Sequence, residues 1–345
     1  MNKTISTVLC LLTSFCCYAN PYWVDDSYNV ASRFAKYQQQ DPNLSLPLLQ
    51  FQAGQVIKPD VRYRQAIVSD KQQSASGDKQ LQPSLTRDLH LDIFYPSVSA
   101  KSNQHKTLVL IHGGGWRSGN KSHLWPMANL LAQRGYTLVI PEYRLSVEAP
   151  YPAAINDIKA AIQWIRQQAQ TQHIPSDNIS LLGGSSGGHL AALIAYQINH
   201  DLSLPENQAH ETATQQHTKR IAAVIDLDGV LDFTDPLALK YENRKGDKSA
   251  AALWLGGSWQ QSQEIWQQAS PTTYLSPQSP PSLIISSGQA RFTAGKQRVK
   301  HHLTQHNIPY QYHEFDQVIH TFWLFEPYLS QSVKTIDNFL QSLAP

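Results

Sequence analysis

The sequence predicts an α/β fold with a mostly parallel central sheet that carries helices on both faces. Three observations support this prediction. Short apolar runs alternate with helical stretches along the middle of the chain, and this order builds parallel sheets with helical crossovers. The chain has 345 residues, which is enough for one large domain. Hydrophobic residues make up 41% of it, so a large core can be buried.

The predicted elements follow one another in a regular order. Strands are predicted at residues 61–68, 89–95, 107–111, 137–140, 179–182, 221–227, 282–286 and 310–315. Helices are predicted at residues 27–40, 124–134, 152–169 and 189–198, with a last helix near the C-terminus. Residues 69–87 and 201–219 are polar and are predicted to be surface loops. Residues 235–268 are rich in Trp and Gln and are a candidate for a small cap over a site.

The first 19 residues are predicted to be a signal peptide. Lys3 precedes an apolar stretch at residues 4–17, and Ala19 ends a small-residue cleavage site. All three cysteines lie inside this segment, so the mature chain would have neither a disulfide nor a cysteine metal site. A lipid anchor on Cys16 or Cys17 is the alternative. The residues that precede these cysteines, Phe15 and Cys16, fit poorly where a small residue is expected. We expect an exported protein, periplasmic or secreted.

Charge and hydropathy narrow the classes of partner. The net charge is +2, and no dense stripe of Lys and Arg is present, so nucleic-acid binding is not expected. The predicted mature chain has no apolar run long enough to span a bilayer. The oligomeric state does not follow from the sequence.

A nucleophile motif lies between a predicted strand and a predicted helix. Gly183-Gly184-Ser185-Ser186-Gly187 matches G-x-S-x-G, the turn that exposes a strained serine. Small residues two positions away on each side keep the strand and the helix from colliding. A second frame centred on Ser186 also matches, but Ser185 has the usual register after the strand. We therefore predict Ser185 as the nucleophile.

A glycine-rich loop follows an earlier strand. In His112-Gly113-Gly114-Gly115-Trp116 the glycines let backbone N–H groups approach a developing oxyanion. Gly114 and Gly115, together with the N–H of Ser186, are the predicted donors. His112 is predicted to be structural. Trp116 is predicted either to line the pocket or to pack in the core.

A serine nucleophile needs a general base, which usually lies late in the chain. Fourteen histidines are present, so position must decide among them. His320 lies in a loop between the last predicted strand and the final helix and is the predicted base. His313 lies inside a strand, and His301 and His302 lie on a polar helix.

These motifs resemble those of known hydrolases. The segments beginning at His112, Glu142, Tyr151 and Gly183 resemble the hormone-sensitive-lipase-like and BD-FAE-like α/β-hydrolases, which include bacterial acetyl and feruloyl esterases. The resemblance covers about residues 55–345 and implies an α/β-hydrolase fold with Ser185 as nucleophile and His320 as base. It divides the chain into the signal peptide 1–19, an N-terminal extension 20–54 and a catalytic domain 55–345.

The acid of the triad departs from this family's pattern. The resemblance places it after the next-to-last core strand, where this sequence has Ala290 and no nearby carboxylate. A triad depends on geometry and not on chain position, so the acid can come from another strand end. Asp228, at the end of the preceding strand, is the acid we favour, with Asp232 and Asp316 as alternatives. Relatives often carry an Asp at the position of Asp226, which implies a structural role there.

The residues after Gly288, together with Trp323, resemble a narrower group of exported bacterial hydrolases that act on polysaccharide esters. Arg291 is a candidate to bind an acidic substrate such as a uronate, with a structural ion pair as the alternative. Trp116, Trp323 and Trp254 are aromatic candidates for a carbohydrate pocket. Each of them has core packing as its alternative.

The leading hypothesis is an exported serine carboxylic-ester hydrolase that works through an acyl-serine intermediate without a cofactor or metal. Its expected substrate is a small-molecule or polysaccharide ester, with acetyl or feruloyl as the expected acyl group. An amide hydrolase of the arylformamidase or peptidase type is an alternative. A non-catalytic binding protein on a hydrolase scaffold is another, because the acid is missing from its usual place.

Overall fold

The apolar runs of the sequence form a single eight-stranded sheet. The computed structural model describes residues 28–68, 85–97, 103, 105–204 and 219–343. The predicted signal peptide and most of the predicted loops 69–87 and 201–219 lie outside these residues. In chain order the strands are β1 (Ile57–Ile67), β2 (Thr86–Phe94), β3 (Thr107–Ile111), β4 (Thr137–Pro141), β5 (Ile179–Gly184), β6 (Val224–Leu227), β7 (Ser282–Ser286) and β8 (Tyr310–Glu314).

The strand order across the sheet is β1-β2-β4-β3-β5-β6-β7-β8. β1 pairs with β2 and β2 pairs with β4 in antiparallel fashion, whereas all other neighbours are parallel. The register aligns three adjacent strand ends, because Gly184 pairs with Leu227 and Leu227 pairs with Ile285. Residues that follow β5, β6 and β7 therefore emerge side by side at the carboxyl edge of the sheet, where such folds place their sites.

Helices cover both faces of the sheet, as the sequence predicts. They are α1 (Val30–Gln38), α2 (Trp125–Ala132), α3 (Ala153–Gln172), α4 (Ser186–Asp201), α5 (Pro236–Asn243), α6 (Ala250–Leu255), α7 (Gln263–Gln268), α8 (Lys296–Gln305) and α9 (Tyr328–Ser342). One apolar cluster joins α3, α4 and α8 to the sheet. A second cluster joins α2 and α9 to the opposite face, with α1 packed against it. Among the described helices, none has the length and apolar character needed to cross a bilayer.

Several predicted boundaries differ from those observed. The helix after Ser185 begins at once, at Ser186, because the turn leaves no room for further loop residues. The helix predicted at residues 124–134 is preceded by a 3₁₀ turn, Lys121–Leu124, and Pro126 lies in the first turn of α2, where its missing N–H costs nothing. The strand predicted at residues 221–227 is shorter and begins at Val224.

The stretch 235–268 forms the short helices α5, α6 and α7 beside the carboxyl edge of the sheet. Two of its aromatic side chains, Trp254 and Trp266, are fully buried in the first core cluster. The indole of Trp254 stacks on that of Trp116 with their centroids 5.1 Å apart. For Trp254 the structure thus shows core packing, the alternative to a pocket position, and this indole anchors the insertion to the core.

Candidate active site

Ser185 lies at the sharp turn between β5 and α4. Its backbone has φ 57° and ψ −125°, a conformation that is strained for a residue with a side chain. A Cβ atom on Gly183 would overlap the carbonyl oxygen of Gly187, and one on Gly187 would overlap that of Ile111. The two glycines of the motif are therefore required by packing. Ser186, the centre of the alternative frame, is buried at the start of α4.

His320 follows β8 and faces Ser185. Its Nε2 lies 2.8 Å from Ser185 Oγ, within hydrogen-bond distance. The imidazole is held between two aromatic rings. It stacks on Phe292 with centroids 3.5 Å apart, and Trp323 meets it edge-on at 5.5 Å. These contacts fix the plane of the imidazole so that Nε2 points at the serine.

Asp228 follows β6 and lies behind the imidazole. Its Oδ2 accepts a hydrogen bond of 2.9 Å from His320 Nδ1, and its Oδ1 accepts one of 2.8 Å from the N–H of Ser287. The side chain is fully buried, and its backbone has φ 55°, which Asp tolerates better than most residues. The Nδ1–H therefore donates to the carboxylate, which leaves Nε2 free to accept the proton of Ser185.

The other acidic candidates do not contact His320. Asp232 is held by Thr272 and Arg298, and Asp316 is exposed to solvent. Asp226 accepts a 2.8 Å hydrogen bond from the N–H of Gly229, and burial raises its pKa to about 8. Of the four aspartates considered, only Asp228 is placed to orient the imidazole.

The ionisation of His320 is tuned by opposing effects. Burial lowers the pKa of its imidazole, because the charged form loses hydration. The hydrogen bond and the negative charge of Asp228 raise that pKa, and the charge of Arg291 lowers it, but burial is the largest effect. The imidazole is therefore neutral at neutral pH, which is the state that a general base requires.

Three backbone N–H groups belong to residues that border the spaces at Ser185. Within the described residues, the N–H groups of Gly114, Gly115 and Ser186 have no hydrogen-bond acceptor. The carbonyl of Gly113 accepts from His112 Nδ1, and that of Gly114 accepts from Ser118. In a trans peptide the N–H of a residue points opposite to the carbonyl of the residue before it. The bonds to the carbonyls of Gly113 and Gly114 therefore fix the directions of the Gly114 and Gly115 N–H groups. Such an arrangement suits a developing oxyanion.

A cleft and a smaller pocket meet at Ser185. The larger cleft has a volume of about 290 Å³, and its walls come from the glycine-rich loop, the loop around His320 and the N-terminal helix α1. The smaller pocket has a volume of about 190 Å³, and Val230, Ala250 and Phe292 contribute apolar surface to it. Ser185, His320 and Gly115 border both spaces. The stretch 235–268 reaches the smaller pocket through Ala250.

The three predicted pocket side chains have different surroundings. Trp116 borders the smaller pocket but is buried, and its Nε1 donates to His189 Nδ1. Trp323 borders the larger cleft and packs so closely on Gly184 that a Cβ there would overlap the indole. Arg291 borders the smaller pocket and forms a 2.8 Å ion pair with buried Glu242. The structural alternative for Arg291, an ion pair, is thus present in the structure.

Sequence reasoning did not identify the side chains that α1 and the residue before it contribute to the larger cleft. These are Tyr28, Arg33 and Tyr37. They are separated from Ser185 by about 150 residues, and no local motif marks them. Among the described residues, no group of three or more His, Cys, Asp or Glu side chains is arranged to hold a metal ion.

Comparisons with known proteins agree with this fold. The model of the BD-FAE family matches residues 91–300, more than half of the chain. A probable carboxylic ester hydrolase, LipM, of Mycobacterium tuberculosis is 28% identical over 57% of this chain and 44% of its own. The esterase LipQ of the same organism is 26% identical over 58% of this chain and 45% of its own. The chain thus spans less than half the length of these relatives.

Among solved structures, a thermophilic esterase of Thermogutta terrifontis superposes with a TM-score of 0.57. It is 22% identical, and the superposition covers 75% of this chain and 89% of that one. This likeness shows a shared fold.

Proposed function

Because the chain belongs to the BD-FAE family of α/β-hydrolases, we propose that it is a serine carboxylic-ester hydrolase. The observation that carries the proposal is the continuous relay from Ser185 Oγ through His320 to the carboxylate of Asp228. The relay opens on two pockets and lies beside three unsatisfied N–H groups. The names of LipM and LipQ, an ester hydrolase and an esterase, support the same chemistry.

In the proposed first half-reaction Ser185 Oγ attacks the ester carbonyl carbon while His320 Nε2 takes the hydroxyl proton. The carbonyl oxygen becomes an oxyanion that accepts hydrogen bonds from the N–H groups of Gly114, Gly115 and Ser186. Asp228 stabilises the imidazolium without taking a proton. When the tetrahedral intermediate collapses, the bond to the leaving alcohol breaks, and that alcohol takes the proton from Nε2.

In the second half-reaction water attacks the acyl-serine. His320 Nε2 removes a proton from the water, and the new oxyanion accepts hydrogen bonds from the same N–H groups. Collapse breaks the bond between Ser185 Oγ and the acyl carbon and returns the proton to the serine. The carboxylic acid leaves, and the free protein is regenerated.

Export is a further part of the proposal. The signal-peptide features at Lys3, residues 4–17 and Ala19 support it. An exported esterase of this family would meet acylated carbohydrates, so an acetyl or feruloyl ester of a carbohydrate is the proposed substrate class. Expression of the full chain in a bacterial host tests export. A periplasmic product that begins at Asn20 is expected, and a cytoplasmic product that keeps Met1 would contradict it.

Hydrolysis of matched esters and amides tests the reaction class. Short p-nitrophenyl esters and N-formylkynurenine are offered to the purified protein, and Ser185→Ala serves as the inactive control. We expect turnover of the esters, a loss of at least about 10³-fold in Ser185→Ala, and an acyl adduct on the Ser185 peptide by mass spectrometry. Turnover of the amide alone would assign the protein to the amide hydrolases.

A further inference from the structure

The N-terminal helix α1 forms one wall of the larger cleft. Arg33 and Tyr37 of α1, and Tyr28 just before it, border the space that opens on Ser185 and His320. The extension at residues 20–54 is thus more than a leader to the main domain. A substrate bound at Ser185 would contact it.

This wall is anchored to the segment that follows His320. The ring of Phe34 stacks on Phe325 with centroids 5.8 Å apart, and Tyr37 meets Phe325 edge-on at 6.1 Å. Beyond the helix, Ser45 and Glu326 exchange two backbone hydrogen bonds of 3.1 and 3.0 Å. Side chains of α1 are therefore held at a defined distance from the reacting atoms.

The lining of the larger cleft carries positive charge. Among the described residues, its lining includes the guanidinium group of Arg33 and no carboxylate. Arg33 is half-buried, and its Cζ lies 5.5 Å from the centroid of the Tyr28 ring, which holds the cation at the wall. The smaller pocket differs, because the charge of its one arginine, Arg291, is balanced by Glu242.

Tyr28 and Thr321 also border the larger cleft, and both hydroxyl groups are buried. Burial raises the pKa of Tyr28 to about 12, so its hydroxyl is neutral at neutral pH. The two side chains therefore form part of the cleft wall beside Arg33 and add no charge to it.

We infer that the larger cleft binds the alcohol part of the ester and selects a sugar that carries a carboxylate, such as an acylated uronic acid. Arg33 pairs with the carboxylate of the sugar. The smaller pocket of about 190 Å³ then holds the acyl group. The inference rests on the proposed ester hydrolysis. It adds that the substrate is negatively charged and that the charge lies on its alcohol part.

Two sugar esters that differ in a single group test the inference. Methyl glucuronide and methyl glucoside carry one acetyl group at the same ring position, and released acetate gives kcat/KM for each. At low ionic strength we expect the uronide to be preferred by about tenfold, as one charge-assisted hydrogen bond provides. The preference should shrink as salt is added. A hemisuccinate ester places the charge on the acyl side and should gain no preference over the acetate.

Variants of α1 connect the preference to Arg33. Arg33→Gln should reduce the ratio of the two kcat/KM values to near one through a higher KM for the uronide, and Arg33→Lys should restore part of it. Lys36→Gln removes the same charge from an exposed position on the same helix and should leave the ratio unchanged.

Four outcomes would overturn the inference. Equal rates on the two sugars, a preference that survives in Arg33→Gln, or a preference for the hemisuccinate would each do so while leaving ester hydrolysis intact. A protein that hydrolyses p-nitrophenyl acetate but neither sugar ester would also refute it alone. Failure on every ester would instead refute the proposed function.

Discussion

Trp116 Nε1 donates a hydrogen bond of 3.2 Å to His189 Nδ1, and His189 Nε2 donates one of 2.7 Å to the carbonyl of Ala269. Burial lowers the pKa of His189 to about 4, so this imidazole is neutral and carries its proton on Nε2. The bond ties the glycine-rich loop to the helix that begins after Ser185. The two sources of oxyanion donors are therefore connected through a buried polar contact.

The Trp116→Phe variant tests this connection. It keeps the aromatic ring but leaves His189 Nδ1 without its donor, which should lower the free energy of unfolding by about 1 to 2 kcal/mol. A shifted glycine-rich loop should lower kcat by about tenfold with little change in KM. Urea unfolding and ester kinetics measure both effects. The control is Trp259→Phe, a half-buried residue outside both pockets, which should change neither the free energy of unfolding nor kcat. An unchanged kcat in Trp116→Phe would show that the contact serves stability alone.

Replacement of Asp228 by Asn should lower kcat by about 10³- to 10⁴-fold, because the amide no longer favours the Nδ1–H tautomer or the imidazolium. The matched control is Asp316→Asn, which removes an exposed carboxylate four residues from His320 and should keep wild-type activity. Kinetics on a short p-nitrophenyl ester and a folding check by circular dichroism complete the test. If Asp316→Asn is the inactive variant, the proposed acid is wrong.

The pH dependence of kcat/KM should follow the imidazole of His320. Protonated imidazole cannot accept the proton of Ser185, so activity falls as pH drops through the pKa of this group. Because burial lowers that pKa, the acidic limb should lie below the ordinary value of about 6.5. A pH–rate profile with an uncharged ester measures it. An acidic limb above neutral pH would contradict the assignment of His320 as a buried base.

Asp226 should make stability depend on pH. Its folded-state pKa of about 8 lies above the unfolded value of about 4, so the folded protein holds a proton that the unfolded chain releases between these values. The free energy of unfolding should therefore be highest below that window and fall as pH rises through it, by at most about 1.4 kcal/mol per pH unit.

Asp226→Asn replaces the protonated carboxyl with an uncharged group that can still accept from the Gly229 N–H. It should flatten the fall in stability between acidic and neutral pH. Denaturant unfolding at several pH values compares the variant with the wild type. The control is Asp235→Asn, at the N-cap of α5, where Asn caps a helix as well as Asp does. A variant whose pH dependence matches the wild type would show that Asp226 is ionised in the folded protein.

Local sequence patterns were sufficient for much of the fold. Buried strands appear in the sequence as apolar runs. The close packing around Ser185 leaves no room for a side chain at Gly183 or Gly187. The position of Asp228 followed from the end of a strand, because parallel strands bring their carboxyl ends to one edge. The triad itself is a geometric arrangement in the structure, and its catalytic role stays a prediction.

Other features depend on contacts that no local pattern encodes. Tyr28 and Arg33 reach the cleft because α1 packs on Phe325, almost three hundred residues away in sequence. The indole of Trp254 is a side chain that often lines carbohydrate pockets, yet its contacts with Trp116 and His189 bury it. The positive charge of Arg291 could bind an acidic ligand, but Glu242, on a helix of the insertion, neutralises that charge.

Ser185 and Asp228 are held by the backbone ladder of the sheet. The N–H of Ser185 donates to the carbonyl of Leu227, and the N–H of Asp228 donates to that of Ile285. The distance between nucleophile and acid is thus set by adjacent strands, and the segment around Ala290 supplies no member of the relay. For an engineer, the spacing of nucleophile and acid is a property of the scaffold, whereas a loop exchanged around Ala290 should keep Phe292, because its ring holds the imidazole of His320.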